Sequence, residues 1–118
     1  MATAGEFYPR AVRGSVQAAL ADTRVVVLNG ARQTGKSTLA SMVVADHPDA
    51  EMRYLDDAAT RAAAESDPTR FVRHDELLVI DEVQRVPDLL LSIKDTVDRD
   101  PRPGRFLLTG SARLVALR

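Results

Sequence analysis

The run Gly30-Ala31-Arg32-Gln33-Thr34-Gly35-Lys36-Ser37-Thr38 constrains the fold of this chain more than any other stretch, because it matches the pattern G-x-x-x-x-G-K-[ST] at every fixed position. A loop of this kind must turn several backbone N–H groups inward around phosphate oxygens. Glycine at positions 30 and 35 permits a curl that a Cβ would obstruct. Lys36 supplies a compact positive charge for β- and γ-phosphates, and the Ser37 hydroxyl is the expected ligand to Mg²⁺. The N-terminus of a following helix adds its dipole. The pattern predicts that all of Gly30, Ala31, Arg32, Gln33, Thr34, Gly35, Lys36, Ser37 and Thr38 line a nucleotide site.

Four fixed positions coincide by chance on the order of once in several hundred chains of this length, so the flanks matter. Residues 24–29, Arg-Val-Val-Val-Leu-Asn, form a β-branched run suited to a buried strand, and Leu39, Met42 and Val43 follow the loop at helical spacing. Strand, loop and helix in that order are the context the motif requires.

The remaining pattern describes an α/β chain of 118 residues, enough for one domain. Val12, Val16 and Leu20 stand at i, i+4 and i+8 within residues 7–21, predicting an amphipathic helix over about 9–21 that packs on the nucleotide domain. Tyr8, Pro9 and Arg10 just before it fit either capping and packing or a place near the base or ribose. Residues 51–56 alternate like a strand ending in acid. Asp56 and Asp57 then suit the N-terminus of an alanine-rich helix over 58–65, the alternative being a carboxylate aimed at the metal. Ser66 to Thr69 close that helix, and Phe71 and Val72 begin a connector to the sheet.

Residues 76–82 form a continuous apolar run bounded by charge, as in a parallel strand covered on both faces. Pro87 opens a helix with Leu89, Leu90, Ile93 and Val97 on one face and an Asp95–Arg99 pair, and residues 105–109 supply a fourth strand. Asp81 and Glu82 end the third strand. Asp81 is expected to help hold the hydration shell of Mg²⁺, and Glu82 to orient and deprotonate the attacking water. Strand alternation predicts that the two carboxylates point in opposite directions.

Composition narrows the function. The absence of cysteine removes disulfides, zinc-thiolate sites and a cysteine nucleophile. A formal net charge of −1 gives no support for nucleic-acid binding. No apolar run is long enough to cross a bilayer, and residues 1–6 show no secretory pattern, so a cytoplasmic location is expected. His47 and His74 are isolated and are expected in solvated loops, not at a metal. Lys36 and Lys94 are the only lysines, and one lies inside the loop motif. The stretch after Asp81, Glu-Val-Gln, lacks the glycine of a D-x-x-G guanine-nucleotide signature, and no N-K-x-D run occurs. No segment is long enough for a kinase lid and acceptor pocket.

With these stretches in hand, the chain resembles the prokaryotic AAA-type P-loop ATPases, a family of AAA-domain ATP-binding proteins. Residues 25–39, 54–56, 78–87 and 104–112 carry the likeness, which covers nearly the whole chain. It implies a three-layer core with a parallel sheet ordered 5-1-4-3-2, binding of ATP with Mg²⁺, and ATP hydrolysis. It also implies that Ser111 is a sensor for the γ-phosphate or the water, although taken alone Ser111 suits a turn or helix N-cap.

Family members continue with a fifth strand, a helical lid and a C-terminal domain, so the likeness implies a fragment or shortened product with four strands. The strand at 25–28 would then lie on an open edge despite its all-apolar pattern. A second copy, a C-terminal segment or another partner is expected to cover it. Arg113 and Arg118 are the available arginines after the fourth strand for stabilising transition-state charge. A nucleotide-dependent switch with little hydrolysis is the alternative function, and a nucleic-acid-associated ATPase the third.

Overall fold

The computed structural model describes residues 4–29 and 35–110, with side chains from residue 13 onward. Helix α1 (Ala4–Asp22) leads into β1 (Val25–Asn29), and α2 (Lys36–Ala45) is the next described element. Then come β2 (Glu51–Tyr54), α3 (Ala58–Ser66), the one-turn α4 (Pro68–Phe71) and β3 (Leu78–Asp81). A 3-10 turn (Val83–Arg85), α5 (Asp88–Arg99) and β4 (Phe106–Gly110) complete the order.

The described strands form one parallel sheet in the order β1-β4-β3-β2. Parallel neighbours need crossovers, and the helices between strands provide them, covering both faces. Strand alternation divides the core accordingly. Leu78, Ile80, Phe106 and Leu108 meet Leu55, Ala64, Phe71, Leu89, Ile93 and Val97 from the loop after β2, α3, α4 and α5. Val79 and Leu107 point the other way, against Leu39, Ala40 and Val43 of α2 and Val16 and Leu20 of α1. This is the three-layer α/β arrangement expected from the sequence.

Local signals account for most boundaries. Asp57 caps α3 by accepting the Thr60 N–H at 2.9 Å and the Thr60 hydroxyl at 2.8 Å. The Thr60 amide holds the Asp57 carboxyl below the usual aspartate range. Asp56 pairs with Arg85 at 2.6 Å. In α5, Leu89, Ile93 and Val97 are buried as the periodicity predicted, and Arg99 lies 3.4 Å from Asp95. Arg13 and Gln17 of α1 both donate to Asp46 at the end of α2, joining the two helices on one face.

Two expectations need correction. Residues 68–71 form a helical turn, not the start of a connector. Pro68 pre-sets its first position and pushes Asp67 out of the helical region, where the Asp67 carboxylate accepts the Arg70 N–H at 3.1 Å. The histidines are tied down, not merely solvated: His47 bonds Gln17 at 2.8 Å, and His74 Nε2 donates to the Asp49 carbonyl at 2.8 Å. Strand β1 is half-buried through Val26, Val27 and Leu28 and in the described sheet pairs with β4 alone, the edge position expected for it in a four-stranded sheet. Among the described residues no helix is long and apolar enough to cross a membrane.

Candidate functional site

The candidate side chains gather where the C-terminal ends of β3 and β4 meet the first turn of α2. Gly35 precedes that helix at φ 84° and ψ 9°, in the left-handed region that glycine enters without a Cβ clash. Lys36 and Ser37 are the first two helical residues, and both reach toward β3. Lys36 is 4% exposed, and its Nζ lies 3.3 Å from Glu82 Oε1. The Ser37 hydroxyl donates to Asp81 Oδ1 at 2.8 Å. Two consecutive loop residues thus meet two consecutive acids that stand 44 and 46 positions away.

Asp81 and Glu82 are themselves buried, at 3% and 6% exposure. Charges removed this far from water require partners, and both carboxylates have them. Asp81 Oδ1 receives hydroxyl hydrogens from Ser37 and from Thr109, the latter at 2.7 Å. Glu82 is held by Lys36 on Oε1 and by the Gln84 side-chain amide on Oε2.

The expected alternation of the two acids along the strand is not what orients them. The strand ends at Asp81, and Glu82 adopts φ 60° and ψ 49° at the head of the 3-10 turn. It is the one non-glycine residue with positive φ among the described residues. That left-handed step takes Glu82 out of the pleat, so its carboxylate reaches Lys36 while Asp81 faces Ser37.

The donor set fits magnesium. A hydroxyl that gives its hydrogen to Asp81 keeps lone pairs free, and a carboxylate oxygen beside it completes a hard-oxygen pair of the kind Mg²⁺ takes when phosphates and water supply the rest. Of the other residues expected here, Thr38 is exposed on the first turn of α2. Gly30, Ala31, Arg32, Gln33, Thr34, Ser111, Arg113 and Arg118 lie outside the described residues, as do the side chains of Tyr8, Pro9 and Arg10.

Sequence reasoning missed Thr109 and Gln84. Thr109 is fully buried at the site, and its signal was a lone hydroxyl at the end of an otherwise apolar strand. Gln84 follows the acids by two residues, but a helical or extended reading would point it elsewhere; the 3-10 turn returns it to Glu82.

A parallel sheet with a glycine-led helix aimed at the acidic end of a neighbouring strand defines an α/β core of the P-loop nucleotide-binding type. The match of residues 22–118 to the AAA domain narrows this: the chain belongs to the AAA-domain family. Similar relatives include uncharacterized proteins of Mycobacterium tuberculosis (strain ATCC 25618 / H37Rv) and Mycobacterium bovis (strain ATCC BAA-935 / AF2122/97). Each is 39% identical over 89 residues, which cover 75% of this chain and 20% of the relative. The matched region thus spans about a fifth of the length of these curated relatives.

Proposed function

We propose that the chain binds ATP with Mg²⁺ and hydrolyses it by in-line attack of water on the γ-phosphate. One observation carries the reading: Lys36 and Ser37 at the head of α2 converge on Glu82 and Asp81, 3.3 and 2.8 Å apart. Each group then has a distinct task. The Lys36 ammonium neutralises β- and γ-phosphate oxygens, and the α2 N-terminus adds its dipole. Ser37 and Asp81 would hold Mg²⁺, which when bound would neutralise charge on the phosphates. Glu82 orients the attacking water and accepts its proton.

Titration of the protein with ATP and magnesium, with Lys36→Ala as control, tests the binding half; phosphate release tests the chemical half. Uptake that is equal in both proteins would refute the assignment of Lys36. The Lys36–Glu82 pair favours a second reading as well. Phosphates that take Lys36 must separate it from Glu82, so nucleotide binding rearranges this acid whether or not hydrolysis follows, as a switch requires. The half-buried edge strand β1 supports association with a second copy or a covering segment. Sedimentation across a concentration series tests the former, and a monomer throughout would oppose it.

A further inference from the structure

We infer that Thr109 is a positioning residue for both acids of the site, its hydroxyl setting the Asp81 carboxylate and the Glu82 backbone at once. The inference rests on the reading of Glu82 as the group that accepts the water's proton. Strand β4 is apolar and fully buried through Phe106, Leu107 and Leu108, and then places a hydroxyl at Thr109, also at 0% exposure. A buried hydroxyl must find partners or carry the cost of lost hydration. Thr109 finds two on β3 and the residue after it: Oγ1 donates to Asp81 Oδ1 at 2.7 Å and accepts the Glu82 N–H at 2.9 Å.

The location explains why a side chain is used. The β3–β4 register runs from Leu78↔Phe106 to Ile80↔Leu108. Beyond it the chain leaves the pleat, because Glu82 is left-handed, and the Thr109 hydroxyl takes the place of a ladder carbonyl as acceptor for the Glu82 amide. A residue with a Cβ avoids this conformation, so the bond to its N–H helps keep Glu82 turned toward Lys36. The same hydroxyl hydrogen, with that of Ser37, converges on one oxygen of Asp81 and fixes which way the carboxylate faces. Neither acid needs Thr109 for its charge. Both need it for direction.

The test compares Thr109→Val, which keeps the shape and loses the hydroxyl, with Thr109→Ser, which keeps the hydroxyl. In the valine variant kcat for ATP is expected to fall about tenfold or more while the ATP dissociation constant moves less than about threefold, with serine restoring most of the rate. Hydrogen exchange in nucleotide-free protein gives an independent readout: the Glu82 amide should exchange about tenfold faster in the valine variant and return toward wild type with serine. If the valine variant does not fold, Thr109→Ala removes the hydroxyl without adding volume and is read the same way.

Unchanged Glu82 exchange, or rate and affinity lost together with no rescue by serine, would overturn the inference. Wild-type protein that takes up no nucleotide overturns the proposed function instead. The exchange measurement then still decides the role of Thr109.

Discussion

Replacing Glu82 by glutamine should push stability, nucleotide affinity and turnover in different directions, because Glu82 is the counter-charge of Lys36. The two side chains are 5% and 8% exposed, with Nζ 3.3 Å from Oε1. At an effective dielectric constant near 20 their attraction is about 5 kcal/mol before desolvation is counted. Glutamine keeps an oxygen that can accept from Lys36 and loses the charge, leaving a buried ammonium without that partner. Removing one member of a buried pair costs up to about 3–5 kcal/mol, and the retained hydrogen bond lowers the expected loss here to about 1–3 kcal/mol.

Nucleotide-free Glu82→Gln should therefore melt several degrees lower, on a scale of about 4–8 °C per kcal/mol for a domain near this size. With ATP the sign reverses. In the wild type, phosphates must separate Lys36 from Glu82 and approach an acidic side chain. The variant has only a neutral hydrogen bond to give up and no acidic side chain to approach, so its dissociation constant should fall about tenfold for each 1.4 kcal/mol relieved. Turnover should drop about 10²–10⁴-fold with the loss of the proton acceptor. Melting curves with and without a non-hydrolysable ATP analogue, calorimetric titration and phosphate release read the three quantities. Affinity that stays equal or weakens would refute the competition between Glu82 and the phosphates for Lys36.

Other perturbations follow from the same geometry. Lys36→Ala should weaken ATP binding at least about a hundredfold, since one substitution removes both the charge and its reach, and titration checks this. Gly104→Ala should destabilise by about 1–2 kcal/mol or more, because Gly104 sits at φ 72° and an added Cβ would lie 3.1 Å from the Leu20 carbonyl oxygen. Gly14→Ala, in open space on α1, should instead stabilise by about 0.5–1 kcal/mol; urea unfolding separates the two signs. Ile93→Ala, fully buried between α5 and the sheet, should cost about 2–5 kcal/mol by the same measurement. The Asp57 cap contributes stability at neutral pH that is lost as pH falls below about 4, because its folded carboxyl is held below the usual range. Melting of Asp57→Asn against wild type should show a difference that narrows in that acid window.

Elements whose cause lies within a few residues were legible in the chain. The β-branched run at 25–28, the Asp57 cap, the proline before α5 and the Leu89/Ile93/Val97 spacing each predict what formed. Lys36 and Ser37 were legible as candidate-site residues because the sequence pattern that singles them out is itself local. The four-residue helix α4 was not, since one turn is too short to display a period and rests on Asp67 and Pro68 alone.

The sequence by itself determined an α/β core with the G-x-x-x-x-G-K-[ST] pattern after its first strand and an acidic pair at the end of its third, because those features are written in short-range spacing. Only the tertiary structure decided how the acids are aimed: the left-handed step at Glu82, the Lys36 ammonium against it, and the Thr109 hydroxyl that reaches Asp81 across 28 positions of chain. No local pattern specifies such contacts. They arise where the sheet brings strand ends together in a dry environment, and each buried polar group takes the partner the fold places within reach.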